Sequence, residues 1–600
     1  MHFRKRLASA YRRMLVRIRE NEVALIAAAA AVGSLVGAGV GVIDGAVVWL
    51  HFILFGVPLD GHLSAGSLIP SINTLFAPAI GGALVGLTVI VIRYFRPREI
   101  VDAIEANALY GGRMSLWDSL NLALITMISV GFGGSAGLEA AYTQVGSGFA
   151  SKVGQNFRLR RQDLRLLVGC GAAAAISAAF NSPLTGAFYA FELVIGSYTL
   201  QALAPVASAA LCGNLAIHAM REARPLFFIP APITVRPRDY LIFLLLGFGA
   251  AFISIVSMRA VTMVENILRH RKVPRWLRPM LGGTAVGIVA FSYPEVLGSG
   301  HGEISFILNG GFAMRPLTVL LIAKILASAF TVGSGMRGGL FSTSLLLGTI
   351  FGSAVAAGLA TLAPSLAINP VAYGLVGMGA VAAGIVGAPV TMTLLVLETT
   401  GNFSLTIGVM AAVIACTVVV RQSFGYSFAT WRFHVRGLPI RGAHDIGWIA
   451  DLTVGKLMRR DPHLVPASET IAQLREHFPL GGPKHAFVCN EGGVYLGTIE
   501  TVEAHSTAYD ALAQTTTAAD LIHSEPRSLT PGVNIHEALN MFTNTASEVL
   551  PVVETAKSGR VLGFVSEAYL LRRYSQELEK QRIEETAGGV FSPESGGLRR

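Results

Sequence analysis

The sequence has little charge and few cysteines for its length. Of its 600 residues only 14% are Asp, Glu, Lys or Arg, whereas 52% are hydrophobic and 66 are glycine. This composition excludes an ordinary soluble globular protein and predicts a polytopic membrane protein. The four cysteines lie singly in apolar surroundings, without the spacing of a zinc or redox site. We therefore predict no metal site and interpret the cysteines as buried small apolar residues.

Groupings typical of enzymes are also missing. The sequence has no Ser/His/Asp arrangement, metal-ligand cluster or phosphate-binding loop, and its 14 histidines are scattered, so we expect neither an enzyme nor a bound metal. The net charge of +10 does not indicate a nucleic-acid partner, because seven of the 47 Lys and Arg residues lie within the first 19 positions, beside the first apolar run. Residues 1–22 are predicted to form a cytoplasmic amphipathic helix at the bilayer surface.

A glycine-rich motif that occurs twice organises the rest of the sequence. Residues 129–151 read SVGFGGSAGLEAAYTQVGSGFAS, and residues 331–353 read TVGSGMRGGLFSTSLLLGTIFGS. Eight residues of the first copy recur in the second at a constant offset of 202, which places Glu139 opposite Phe341. Each copy is followed by a proline nine residues before a glutamate, namely Glu192 or Glu398. We therefore predict a duplicated membrane unit.

The distribution of charge predicts opposite orientations for the two copies. The first copy leads into a basic segment at 152–165, whereas residues 338–374 contain no Lys, Arg, Asp or Glu. By the positive-inside rule, the first copy runs toward the cytoplasm and the second away from it. Inverted repeats place a transport site near the bilayer midplane, where broken helices meet. We predict an all-α polytopic domain of inverted repeats and broken helices over 23–432, in the inner cell membrane with both termini cytoplasmic.

The composition changes after the last apolar run. Residues 433–450 are predicted to be a linker, because they are basic and contain glycine. The segment that follows repeats a proline-marked turn, a helix and two short strands, which predicts two small α/β domains at 451–510 and 515–580. The polar residues 581–600 are expected to be a disordered tail.

Several motifs together resemble the CLC family of chloride channels and chloride/proton exchangers. SGMRGGLFSTSLLLGTIFG at 334–352 is similar to the family's GxFxP helix start, and GLEAA at 137–141 lies where the family has GREGP. The segments 178–192 and 377–403 resemble the helices that pack at the family's dimer interface. The C-terminal repeat resembles a tandem pair of CBS (cystathionine-beta-synthase) domains. The resemblance implies a homodimer in the lipid bilayer that transports chloride through one pore per subunit.

The resemblance also implies which residues form the anion site. Glu139 is the counterpart of the gating glutamate, which would bind protons, although a helix N-terminal cap is its alternative role. Backbone N–H groups at helix starts carry partial positive charge and can replace part of an anion's hydration shell. The anion-binding residues expected on this basis are Leu138, Gly339, Leu340, Phe341 and Tyr426, the last through its hydroxyl group.

Glu192 and Glu398 occupy matched positions late in apolar helices. Ionisable groups inside a membrane are costly and are functional candidates by default. Either could carry a proton, but we favour a structural role for both, at a polar interface or as helix caps.

Two departures from the family bear on function. The position of the inner proton-relay glutamate of family exchangers is Leu193, which cannot carry a proton. A passive voltage- or pH-gated chloride channel is therefore the first hypothesis, and a chloride/proton antiporter with a non-standard proton route is the alternative. The family's serine loop is replaced by YFRPRE at 94–99. Either another donor completes the anion site, or Arg96 or Arg98 supplies positive charge near the inner end of the pore. The alternative is that both arginines only mark the cytoplasmic side of the membrane.

A third hypothesis concerns the CBS pair. In this hypothesis the CBS pair makes the protein a sensor, and the membrane domain no longer transports an anion. By resemblance the CBS pair is a candidate for adenine-nucleotide binding, the one cofactor considered, with Glu503 and Ser566 as candidate contacts. A purely dimerising role for the pair is the alternative.

Overall fold

The computed structural model describes residues 22–59, 61, 63–64, 72–96, 100–220, 233–309, 314–364, 369–425, 427–435, 453–522, 526–545, 547–555, 558–573 and 575–576. The chain divides into two compact units, Met1–Asp445 and Ile446–Arg600. Almost all of the predicted N-terminal helix, most of the predicted linker and the whole predicted tail lie outside the described residues.

The described part of the first unit is helical throughout. Its helices are α1 (Glu22–Phe55), α2 (Ile72–Phe95), α3 (Ala103–Leu109), α4 (Leu116–Gly131), α5 (Glu139–Asn156), α6 (Arg161–Phe180), α7 (Pro183–Tyr189, continued by a π-helical turn, Ala190–Ile195), α8 (Leu200–Met220), α9 (Asp239–His270), α10 (Arg278–Ser292), α11 (His301–Leu308), α12 (Met314–Gly333), α13 (Phe341–Leu362), α14 (Pro370–Val386), α15 (Pro389–Thr400), α16 (Phe403–Ser423) and α17 (Phe428–Val435).

Eight helices in the described part are long and apolar enough to cross a bilayer, which confirms the predicted polytopic membrane protein. The longest, α1, is one continuous helix of 34 residues. At about 1.5 Å per residue it exceeds the roughly 30 Å hydrocarbon core, so it is long enough to span the bilayer even when tilted.

The abundance of glycine has a packing explanation. A Cβ atom added to Gly37 of α1 would lie 2.1 Å from the carbonyl oxygen of Gly213 in α8, closer than any real contact. Helices in a membrane associate through such close backbone approaches, because lipid supplies no hydrophobic driving force between them. The glycines that lower the helix propensity of the sequence therefore allow its helices to pack.

Both glycine-rich motifs interrupt helices at matched places. The first break separates α4 from α5, and the second separates α12 from α13. Inside the breaks, Gly137 and Gly339 form an antiparallel bridge with N–H to O distances of 2.9 and 2.8 Å. These glycines are equivalent at the repeat offset of 202, so the two repeats meet at a local twofold axis between them. The predicted duplication and broken helices are confirmed.

The second unit is a small α/β structure with an internal repeat, as predicted. In the first half, β1 (Leu464–Pro466) is parallel to β2 (His485–Cys489), which is antiparallel to β3 (Tyr495–Glu500). In the second half, β4 (Val549–Val553) is antiparallel to β5 (Val561–Ser566). The helices are α18 (Val454–Leu457), α19 (Ile471–His477) and α20 (Ile535–Thr545).

The two halves exchange terminal segments. Val454 and Leu457, which precede the first half in sequence, pack in the core of the second half with Ile535. Ala518 and Leu521, which follow the first half, pack in its core. The domain limits 451–510 and 515–580 stay predictions, and the packing adds that each half completes its core with a segment from beyond its own strands.

Candidate functional site

Two helix starts converge at the paired glycines. The N-terminal caps of α5 and α13 are Leu138 and Leu340, and neither side chain makes a capping hydrogen bond. The first N–H groups of a helix have no partner within that helix and form its positive end. The bridge between Gly137 and Gly339 therefore brings two positive helix ends together, with the predicted residues Leu138, Gly339 and Leu340 beside them.

The carboxylate of Glu139 lies at the start of α13. One oxygen, Oε1, accepts a hydrogen bond from the Ser342 N–H at 2.8 Å and another from the Ser342 hydroxyl. Oε2 has no hydrogen-bond partner in the described part of the chain, and the residue is only 4% exposed. A side chain of one repeat thus fills the positive helix end of the other.

Glycine leaves room for this carboxylate on both sides. A Cβ atom added to Gly137 or Gly339 would lie 2.0 or 2.5 Å from Oε2 of Glu139. Either contact would displace the carboxylate. The bridge glycines therefore both join the repeats and leave room for a negatively charged group between them.

Ser342 was missed by sequence reasoning, which placed the donors at Leu340 and Phe341. The available signal was a hydroxyl residue in the first turn of the predicted helix, directly after Phe341. Its position bears on the donor expected in place of the missing serine loop. The Arg96 guanidinium pairs with Asp118 at 3.1 Å in an exposed ion pair, and Arg98 lies outside the described residues. Within the described residues, Ser342 is thus a hydroxyl donor to the carboxylate at this helix start.

Aromatic rings line one side of the site. Phe341 is buried, and its ring centroid lies 4.5 Å from that of Phe180 and 6.1 Å from that of Tyr189. The ring of His301, at the start of α11, lies 5.9 Å from Phe180. Apolar walls exclude water and strengthen electrostatic interactions at the helix starts. Tyr426, the predicted inner tyrosine, lies outside the described residues.

Glu192 and Glu398 each cap a helix of the opposite repeat. Glu192 accepts hydrogen bonds from the N–H of Val390 (2.9 Å) and from the N–H (2.8 Å) and hydroxyl (2.6 Å) of Thr391 at the start of α15. Glu398 makes the matching bonds to Leu184 and Thr185 at the start of α7, at 2.7, 2.8 and 2.6 Å. These reciprocal bonds join the repeats a second time.

A buried charged group lies near the aromatic wall and was also missed. Lys324 of α12 is fully buried and donates to the carbonyl oxygens of Val296 and Gly298 at 2.8 and 2.9 Å. Glu303 of α11 is equally buried, interacts electrostatically with Lys324, and has no hydrogen-bond partner on either oxygen in the described part of the chain. The lysine within the apolar run of α12 was the signal that the sequence offered.

In the second unit, the candidate nucleotide contacts belong to different halves. Glu503 begins a short 3-10 turn after β3, and Ser566 is the last residue of β5, paired with Val549. The halves meet through a bridge between Val494 and Arg560. A role for Glu503 and Ser566 in binding stays a prediction.

Two broken helices with joined starts and a carboxylate between them define a membrane transport protein built from inverted repeats. A family model described as voltage gated chloride channel matches residues 61–421, and a CBS domain model matches residues 518–576. The first match spans more than half of the chain, so the chain belongs to the CLC family. This is a family of anion transport proteins and not of enzymes.

Related proteins support the assignment. A putative chloride channel protein, ClcB-like, from Ralstonia nicotianae is 30% identical over 360 residues, covering 59% of this chain and 84% of that protein. An H(+)/Cl(-) exchange transporter, ClcA, from Vibrio campbellii is 30% identical over 316 residues, covering 51% of this chain and 67% of that protein. The crystal structure of a slow cyanobacterial Cl-/H+ antiporter shares the fold, with a TM-score of 0.60, 22% identity and coverage of 69% of this chain and 97% of that one.

Proposed function

We propose that this protein conducts chloride across the membrane through one pore per subunit, with Glu139 as the gate. The supporting observation is that the Glu139 carboxylate accepts two hydrogen bonds from Ser342 at the start of α13. An anionic group held at a positive helix end occupies the position that chloride would take. Protonation of Glu139, or its displacement, frees these donors for an incoming anion.

The chloride site of this proposal combines the predicted residues with Ser342. Backbone N–H groups at Leu138, Leu340 and Phe341 supply partial positive charge without a full cation, so binding stays moderate enough for release, and Gly339, whose own N–H bonds to Gly137, contributes by leaving room for the anion. The Ser342 hydroxyl replaces the family's serine loop, and the Tyr426 hydroxyl is the proposed donor on the inner side.

Passive conduction, gated by voltage or pH, is supported by Leu193. This side chain is buried in the π-helical turn after α7, at the position that carries the inner glutamate in family exchangers. Its alkyl group cannot accept a proton. The proposed pore therefore lacks the family's usual second proton carrier.

Chloride/proton exchange is the second candidate, and Glu303 with Lys324 favours it. A buried carboxylate without hydrogen-bond donors is costly when ionised. Proton uptake by the Glu303 carboxylate would remove a negative charge that interacts electrostatically with Lys324, and an anion entering the protein would favour that change. Glu303 is thus the group through which an exchange mechanism could bypass Leu193.

The test is chloride efflux from proteoliposomes with simultaneous recording of external pH. The wild type is compared with Glu139→Gln and Glu139→Ala, with Glu265→Gln on the exposed part of α9 as the control. A glutamate-gated channel predicts efflux without coupled protons, altered by both Glu139 substitutions and unaffected by the control.

Other outcomes would contradict this proposal in distinguishable ways. Uphill proton movement that is abolished by Glu139→Gln would establish an exchanger, and its loss in Glu303→Gln with retained chloride flux would identify the proton route. No chloride flux from a folded wild-type protein would instead favour the sensor hypothesis.

We also propose a homodimer in the inner membrane with cytoplasmic termini, whose CBS pair binds adenine nucleotide through Glu503 and Ser566. The family resemblance supports this proposal. Titration calorimetry of the full-length protein with ATP should show binding that Glu503→Gln and Ser566→Ala weaken and that Glu500→Gln leaves unchanged. Absence of ATP binding to the wild type would favour a dimerising role, and light scattering in detergent measures the subunit number.

A further inference from the structure

An acidic residue lies within the apolar run of α1. Asp44 is the only Asp, Glu, Lys or Arg between residues 23 and 55, and α1 is one continuous helix over this range. An ionisable group inside a membrane helix is costly and is a candidate for function. Neither the anion site nor the two helix-capping glutamates account for this carboxylate.

Asp44 lies on the side of α1 that faces the protein. Val40 and Val47, four residues before it and three after it on the same helix face, are each 2% exposed. Both valines pack in one core with Leu138 and Tyr142 of the first repeat. Asp44, which is half-buried, therefore lies over the break that carries Glu139.

The hydroxyl group of Tyr142 donates a hydrogen bond to Asp44 Oδ1 at 3.2 Å. Tyr142 is buried in the first turn of α5, three residues after Glu139. Its backbone N–H donates to the carbonyl oxygen of Leu138 at 3.1 Å, which closes that turn. The contact with Asp44 thus ties the turn that carries Glu139 to α1.

The second repeat lacks this contact at the equivalent position. The offset of 202 matches Tyr142 with Ser344, whose hydroxyl donates to the carbonyl oxygen of Phe341 in its own helix start. A tie from the first turn to another helix is therefore not a general need of the repeated fold. In this comparison it belongs to the repeat that carries Glu139.

α1 also contacts the chain before the break. His51 lies seven residues after Asp44 on the same helix face, and its Nε2 donates to the carbonyl oxygen of Val130 at 3.2 Å, near the end of α4. A Cβ atom added to Gly131 would lie 2.8 Å from Leu50 of α1. α1 therefore holds the first glycine break on both of its sides.

The position of the Glu139 carboxylate is sensitive to small movements of α5. Its bond from the Ser342 N–H is 2.8 Å long, and such bonds weaken beyond about 3.2 Å, so a shift of about 0.4 Å is enough to impair it. A first turn that is already held in place loses less conformational freedom when the carboxylate binds at the start of α13. Once the carboxylate has left, this alignment is no longer needed. Fixing the turn therefore favours the closed position of the gate.

We propose that Asp44 is a positioning residue for the gate. By accepting the hydrogen bond from Tyr142, it holds the first turn of α5 where the Glu139 carboxylate meets Ser342. Asp44 acts through Tyr142 and not on the anion. This inference rests on the proposed gating by Glu139.

The test is passive chloride efflux from proteoliposomes of Tyr142→Phe and Asp44→Ala. A hydrogen bond to a charged group corresponds to about 10- to 100-fold in an equilibrium, and only part of this is transmitted to the carboxylate, so each variant should accelerate efflux by about 3- to 10-fold. Asp44→Asn keeps an acceptor oxygen and should accelerate efflux less than Asp44→Ala does. The control is Tyr240→Phe, which removes a hydroxyl that donates to the Ser404 carbonyl at 3.1 Å and should leave efflux unchanged.

Two double variants separate positioning of the gate from a general loss of stability. In a Glu139→Ala background no carboxylate remains to be held, so Tyr142→Phe should change efflux by less than about twofold. A substitution that only destabilised the protein would reduce efflux in both backgrounds. The variant Asp44→Ala/Tyr142→Phe should be no faster than either single variant, because both remove the same bond.

The outcomes distinguish this inference from the gate itself. If Glu139→Ala alters efflux and Tyr142→Phe does not, the positioning role is wrong and the gate stands. If Glu139→Ala leaves efflux unchanged, the gate and the positioning role are both wrong. Additive acceleration in the double variant, or Asp44→Asn as fast as Asp44→Ala, would also overturn the inference. If Asp44→Ala does not fold, Tyr142→Phe in the two backgrounds decides.

Discussion

Replacing Ser342 by alanine tests the gate most directly. The substitution removes the hydroxyl that donates to Glu139 Oε1 and leaves the backbone N–H bond of 2.8 Å in place. A hydrogen bond to a charged group contributes about 1.5–3 kcal/mol. Loss of the hydroxyl should therefore favour departure of the carboxylate by about 10- to 100-fold.

The expected result is faster passive chloride efflux from Ser342→Ala proteoliposomes at fixed pH. The control is Ser344→Ala. Ser344 lies in the same helical turn, but its hydroxyl donates to the Phe341 carbonyl at 2.6 Å and not to Glu139. Efflux through the control should equal that of the wild type.

A double-mutant cycle separates gating from pore shape. In a Glu139→Ala background no carboxylate remains to be released, so Ser342→Ala should no longer accelerate efflux. The reasoning is refuted if Ser342→Ala leaves wild-type efflux unchanged, or if the acceleration persists in the Glu139→Ala background.

The remaining predictions concern the other contacts between the repeats and the second unit. Glu192→Gln and Glu398→Gln each leave one acceptor oxygen for three donors. Each substitution should therefore lower the free energy of unfolding by about 2–4 kcal/mol. Thermal denaturation at the wild-type temperature would argue against a capping role for these glutamates. Gly339→Ala places a Cβ atom 2.5 Å from Glu139 Oε2 and should make efflux insensitive to Glu139→Gln, whereas Gly39→Ala, with no atom within 4 Å, should leave efflux unchanged. In the second unit, hydrogen bonds from Thr517 lower the pKa of Asp520, so the stabilisation it provides is present at neutral pH and lost on acidification. Asp520→Asn should therefore increase amide hydrogen exchange at 517–521 at pH 7, and its difference from the wild type should shrink as the pH falls below about 3.9, the ordinary pKa of aspartate. A difference of constant size on acidification would contradict this.

The repeat explains why much of the site could be predicted. The offset of 202 aligned Glu139 with Phe341, and glycine at matched positions located both helix breaks, because glycine allows the close backbone approach seen between Gly137 and Gly339. The identity of the donor could not be predicted, since it depends on how the first turn of α13 is rotated about its axis. Phe341 and Ser342 are adjacent in sequence, yet only Ser342 bonds to the carboxylate.

Contacts between residues far apart in the sequence could not be predicted, for a different reason. Lys324 was visible as a charge in an apolar run, but its partners belong to the turn before α11, more than 25 positions earlier. For Arg96, the sequence suggested a role that the fold does not support. Its sequence position left a pore role open, and only the fold brings Asp118 within 3.1 Å of it.

Three glutamates in this protein are placed alike, at helix starts, and the differences between their hydrogen bonds suggest why only one of these side chains should move. Glu139, Glu192 and Glu398 each place a carboxylate at the positive start of a helix in the opposite repeat, where N–H groups lack partners. Glu192 and Glu398 each satisfy three donors with both oxygens. In the described part of the chain, the hydrogen bonds from the opposite repeat to Glu139 are the two from Ser342, both on one oxygen. Because each charge-assisted bond contributes about 1.5–3 kcal/mol, the carboxylate with fewest bonds is the easiest to release. The two fully bonded glutamates join the repeats, and the proposed gate is the glutamate whose release from its helix start costs the fewest hydrogen bonds.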